Sequence, residues 1–146
     1  MHQIEQYPLW VGHAGDGRAI RQLLDQGIQA IVQLAVEEPP AQPPRELIFC
    51  RFPLLDGIGN DPVLINLAVD AVATLLRSKI PTLVCCGGGM SRSPAITAAA
   101  LAQVDGAALN DCLERVAECY PADVLPGLWD EVCRAVAARD SSSGSK

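Results

Sequence analysis

Basic residues are scarce in this chain. Eleven lysines and arginines stand against seventeen aspartates and glutamates, for a formal net charge of -6 and a pI near 4.7. A chain of that sign carries no basic stripe of the kind that DNA, RNA or anionic lipid needs, so neither a nucleic-acid nor a membrane partner is expected. No apolar run reaches the roughly 18 residues of a membrane span, and no secretory signal pattern opens the sequence, so a soluble, cytoplasmic protein is expected. Histidine is nearly missing: His2 and His13 both lie near one end, and the adjacent pair Cys85-Cys86 lacks the Cys-x-x-Cys spacing of structural zinc. No metal and no other cofactor is expected. A Gly-Lys-Ser/Thr ending and a Gly-x-Gly-x-x-Gly fingerprint are also absent, which argues against nucleoside-triphosphate and dinucleotide sites.

What is present is enough apolar material for one core. The 146 residues are 49% hydrophobic, and a single domain over residues 1–140 with a frayed Ser/Gly tail at 141–146 is expected. Leu9–Gly12, Ala30–Leu34, Leu47–Phe52 and Pro81–Cys85 read as strands. Between them, Asp16 is the expected cap of a helix over Ala19–Leu24 that Gly27 ends, and Val63–Leu76 has helical apolar spacing. Glu38–Pro44 reads as an exposed, proline-rich connection. Pro94 fits the first turn of a small-faced helix, Asn110 is the expected cap of Cys112–Cys119, and Leu128–Ala138 is a last helix. Strands alternating with helices predict an α/β fold whose central, largely parallel sheet is flanked by helices. The six cysteines, Cys50, Cys85, Cys86, Cys112, Cys119 and Cys133, fall mostly inside regular segments, so they are expected as reduced thiols.

The chemistry concentrates in Cys86-Gly87-Gly88-Gly89-Met90-Ser91-Arg92, placed between a strand and a helix start. Three glycines in succession suggest a backbone that side chains would obstruct, one whose amides turn inward around an anion. A guanidinium six residues past the thiol adds a planar fork, and a helix N-terminus favours negative charge on sulfur. Gly87, Gly88, Gly89, Met90, Ser91 and Arg92 are therefore the candidate phosphate-binding residues, and Cys86 the candidate nucleophile.

Cys86 to Arg92 followed by Ser93 resembles the Cys-x5-Arg signature of the cysteine-dependent protein tyrosine phosphatases, and Cys86-x-x-Gly89-x-Ser91-Arg92-Ser93 resembles their dual-specificity branch. The order of elements over roughly residues 7–138 is similar to a small, atypical dual-specificity phosphatase. The resemblance implies a protein tyrosine phosphatase-like fold and hydrolysis of phosphomonoesters, on protein tyrosine and/or serine/threonine, through a cysteinyl phosphate. It makes a phosphorylated protein or a small phosphomonoester the expected partner, and leaves the oligomeric state open.

It also implies an acid on the loop thirty residues before Cys86, which is Asp56; Asp61 is the alternative acid, although it is the better helix cap. Ser93 is implied as the hydroxyl that assists the thiolate as a leaving group. One departure stands out: the family's usual histidine before the nucleophile is Cys85 here, and a thiol is a weak donor, so reduced or differently tuned turnover is expected. A noncatalytic phosphate-binding protein is the first alternative, with arsenate reductase and sulfurtransferase behind it. Cys50 and Cys85 are the redox candidates, Cys50 because a parallel sheet can set its strand beside that of Cys86.

Overall fold

The computed structural model describes residues 1–144. Five strands form one sheet: β1 (His2–Gln3), β2 (Leu9–His13), β3 (Ala30–Ala35), β4 (Ile48–Leu54) and β5 (Thr82–Cys86). Their spatial order is β1-β2-β5-β3-β4, antiparallel only between β1 and β2 and parallel elsewhere. The fold is the expected α/β arrangement, with β5 in the middle of the parallel part. β1 escapes sequence reading because two residues cannot show a period. Pro53 sits in the edge strand β4, where its missing N–H breaks no ladder on the open side.

Alternation along β3 and β5 divides the interior into two. Ile31, Leu83 and Cys85 face a smaller cluster with Leu23, Ile28 and Leu47, covered by α1 (Ala14–Arg18) and α2 (Ile20–Asp25). Val32, Val84 and Cys86 face the larger one, built with α3 (Pro62–Arg77), α4 (Arg92–Asp105), α5 (Leu109–Cys119) and α6 (Pro126–Gly144). Helix α4 lies deepest: every residue from Arg92 to Ala102 is buried, and its alanines let neighbouring elements approach closely. Gly106, at φ +67, ends it in the left-handed conformation that glycine adopts without strain.

Three helix boundaries differ from those read in the sequence. His13, not Asp16, is the cap of the first helix, with Asp16 its reciprocal partner three residues on, and the chain breaks at Ala19 into two short helices. Ala108 rather than Asn110 precedes α5; the Asn110 side-chain oxygen accepts instead from the Trp129 indole N–H at 2.9 Å. Helix α6 begins at Pro126 and runs on to Gly144, into the segment expected as tail; residues 145–146 lie outside the described residues. Among the described residues no helix is long and apolar enough to cross a membrane. The Glu38–Pro44 connection is tied down: Gln33 donates to Pro39 C=O at 2.9 Å and accepts from Ala41 N–H at 3.1 Å.

Candidate active site

Strand β5 ends at Cys86 and helix α4 begins at Arg92, so residues 87–91 must turn back within one short loop. Two of its carbonyls are taken from outside: Gly87 C=O accepts from Ala14 N–H at 3.1 Å and Met90 C=O from Asp123 N–H at 2.7 Å. The peptides of this loop are trans, so each outward carbonyl turns the next N–H, those of Gly88 and Ser91, the opposite way. The Ser91 hydroxyl oxygen accepts from Leu125 N–H at 3.1 Å, a structural tie, while Met90 stands half-exposed.

The three glycines are not equivalent. Gly89, at φ +80, has no room for a Cβ, which would come within 2.5 Å of the Tyr120 hydroxyl and 2.8 Å of Gly12 C=O. At Gly87 a Cβ would meet Glu37 Oε2 at 2.7 Å and an Arg92 terminal nitrogen at 3.1 Å; at Gly88 it would meet open space. Packing thus demands glycine at 89, crowds a side chain at 87 only against the movable ends of Glu37 and Arg92, and leaves 88 open.

Arg92 is 3% exposed. Its two terminal nitrogens donate to Glu37 at 2.6 and 2.5 Å, and one also donates to Leu54 C=O at 2.9 Å. Those bonds fix the fork at the loop's edge while its Nε stays buried without a partner. Burial works against the guanidinium charge, but the Glu37 bonds and nearby anionic groups, Asp56 among them, outweigh it and raise its pKa. The Arg92 bonds hold the Glu37 carboxyl down at about 2, against its own partial desolvation. Glu37 is a site residue that sequence reading missed. Its one signal is position: an acid just past the end of a buried strand adjacent to β5.

A hollow of about 280 Å³ opens here, lined by Asp56, Cys86, Gly88–Arg92, Asp123 and Leu125. A larger cleft, about 480 Å³, lies between α4 and α6 and contains no nucleophile. The hollow brings Asp56 together with Cys86 and Arg92, and adds Asp123, which sequence reading did not single out. Asp61 does not line it; its carboxylate accepts Val63 N–H at 2.9 Å as the cap of α3. Ser93 is fully buried, but its hydroxyl donates to Gly12 C=O at a long 3.4 Å and not to Cys86.

The redox expectations need correction. Cys85 faces the smaller cluster, on the opposite side of the sheet from Cys86, where burial first and then the charges of Cys86 and Asp16 push its thiol up to about 12. It makes no hydrogen bond to the loop in place of the histidine. Cys50 pairs with Val32, which pairs in turn with Val84, so β3 lies between β4 and β5. Two strand spacings of about 4.8 Å place Cys50 roughly 10 Å across the sheet from β5, beyond the reach of a disulfide. Strand order was the missing fact, since a parallel sheet allows either neighbour.

Comparison with known proteins agrees with this geometry at the level of fold. No protein-family model and no curated protein matches the sequence. Among solved structures, human DUSP28 superposes with a TM-score of 0.84 at 24% identity, over 97% of this chain and 99% of that one. A mouse dual-specificity phosphatase in complex with zinc tungstate gives 0.83 at 23% identity, over 97% and 89%. The human tyrosine phosphatase-like serine/threonine/tyrosine-interacting protein gives 0.79 at 18% identity, over 95% and 97%. The fold of this chain is that of a small, atypical dual-specificity phosphatase.

Proposed function

We propose that the chain hydrolyses phosphomonoesters of protein tyrosine and/or serine/threonine through a cysteinyl phosphate on Cys86. The observation that carries the reading is a single hollow whose lining brings Cys86, Arg92 and Asp56 together beside the glycine loop. The Gly88 and Ser91 amides point the same way, and phosphatase-fold neighbours support the chemistry.

In the first step the Cys86 thiolate forms the sulfur–phosphorus bond while the phosphorus–oxygen bond to the leaving group breaks and Asp56 gives that oxygen its proton. Loop amides and Arg92 hold the three equatorial oxygens as charge redistributes. In the second step Asp56 takes a proton from water, the water oxygen bonds to phosphorus, and the sulfur–phosphorus bond breaks to restore the thiolate. Ser93, buried and only weakly engaged with Gly12, gives up that long bond to turn its one hydroxyl proton toward the departing sulfur.

The noncatalytic alternative is favoured by one observation, that Cys85 turns its side chain away from the loop. Arsenate reduction would need a resolving thiol, and neither Cys50 nor Cys85 is placed to serve. The deciding measurement is release of phosphate from para-nitrophenyl phosphate without added metal by the wild type and by Cys86→Ser. Turnover lost in the variant supports the reading; vanadate binding with no turnover by the wild type overturns it in favour of the noncatalytic one.

A further inference from the structure

The segment that carries Asp56 is gripped from two sides. Asn60 accepts Leu55 N–H at 2.7 Å, and its amide nitrogen donates to Leu55 C=O at 3.1 Å and to Gly57 C=O at 3.2 Å, so one side chain holds the residues before and after Asp56. Glu131, on α6, in turn accepts from Gly59 N–H at 2.6 Å, from Asn60 N–H at 3.0 Å and from the Asn60 side chain at 3.3 Å. Without that grip, Gly57 at φ +144 and Gly59 at φ +102 would leave the backbone free to roam. Ile58 adds a third hold: its Cγ2 methyl lies so close to Gly127 of α6 that a Cβ there would come within 2.8 Å.

The chain entering α6 also holds the phosphate loop, through Asp123 N–H to Met90 C=O and Leu125 N–H to the Ser91 hydroxyl. One helix and its lead-in therefore touch both loops that border the hollow, and they fix the gap between them. We propose that Glu131, acting through Asn60, is the positioning residue that holds Asp56 over the leaving-group side of the anion site. The proposal rests on the reading of Asp56 as the proton donor. Glu131 suits the task because it remains ionised: partial desolvation opposes its charge, but the Gly59 and Asn60 N–H groups outweigh that and keep its carboxyl below the usual range.

The test compares phenyl phosphate, whose leaving oxygen needs a proton, with dinitrophenyl phosphate, whose oxygen leaves without one. In Glu131→Ala the ratio of kcat on the first to kcat on the second should fall about tenfold or more, and the limb of the pH profile that belongs to the proton donor should flatten. Glu131→Gln, which keeps one acceptor oxygen, should fall less. Because the two residues act in series, adding Glu131→Ala to Asp56→Asn should lower the ratio no further than Asp56→Asn does alone. Equal loss on both substrates, or full additivity, overturns the positioning role. If the wild type turns over neither substrate, the phosphatase reading has failed; if it turns over both and Asp56→Asn leaves the ratio unchanged, the acid reading of Asp56 has failed. Hydrogen exchange separates that case: unchanged protection of the Gly59 and Asn60 amides in Glu131→Ala overturns the brace itself, whatever the activity.

Discussion

The two loops that meet over the hollow are built on opposite plans. Residues 87–91 are shaped by backbone, with a left-handed glycine and two carbonyls bonded to outside N–H groups, and only Ser91 adds a side-chain tie. Residues 55–61 are shaped by side chains, chiefly Asn60 and Glu131, acting on a segment whose own backbone sets little. On the proposed function, a backbone-built loop is an anion site preorganised before any ligand arrives, as stabilisation of developing charge requires. A side-chain-built donor loop depends on a residue 75 positions away in sequence from Asp56, and is open to adjustment by substitution far from the anion.

The largest effect should come from the guanidinium that joins the two plans. Arg92→Lys keeps the charge but loses the planar fork that bonds Glu37 and Leu54 C=O and that the proposed function sets against the phosphate. Turnover of para-nitrophenyl phosphate should fall by about 10²–10³-fold. A loss below about tenfold would mean that the amides alone hold the phosphate and that the fork is mainly structural.

Next comes the donor loop. Asp56→Asn should slow poor leaving groups by about 10²-fold or more, whereas Asp61→Asn should act through the α3 cap and cost about 1 kcal/mol or less of stability, with a smaller effect on rate. Rate on phenyl phosphate and thermal unfolding, measured on both variants, separate the two roles. If Asp61→Asn gives the rate loss and Asp56→Asn does not, the assignments exchange.

Residues 87–91 can be probed one glycine at a time. Gly89→Ala forces a side chain into left-handed backbone and against Gly12 C=O, and should lose both stability and most turnover; Gly88→Ala meets open space and should keep the fold, with at most about a tenfold change in rate. Equal damage from the two would show that the loop is less backbone-determined than its geometry implies.

That contrast also explains what could be read from the chain. The strands themselves and the cluster Cys86–Arg92 follow from local signals, because a strand, three glycines and a helix start are contiguous in sequence. Asp56 was readable through its place after a strand and through a resemblance; its brace was not, since Glu131 looks like any exposed acid on a helix until the fold brings α6 against residue 60. Glu37 was hidden in the same way, two positions past β3 and 55 positions before Arg92. The Cys50 expectation failed for a topological reason: hydrophobic pattern identifies strands but does not say which one lies between two others.

The smallest effect sharpens the comparison at Arg92, just past the backbone-built loop, where the Glu37 side chain holds the guanidinium. Glu37 is about 2 in the folded protein and close to 4.5 when unfolded, so its pairing with Arg92 contributes stability that is complete above about pH 4.5 and is lost as pH falls toward 2. The Glu37 side chain is 53% exposed, which screens the pair and limits its contribution to about 1 kcal/mol. In Glu37→Gln that acid-sensitive part is gone, while the other carboxylates titrate as before. Wild type should therefore lose about 1 kcal/mol more than Glu37→Gln between pH 6 and pH 2, read by chemical unfolding at each pH. Parallel losses in the two proteins would show that Arg92 is held in place by Leu54 C=O and packing, with Glu37 adding nothing.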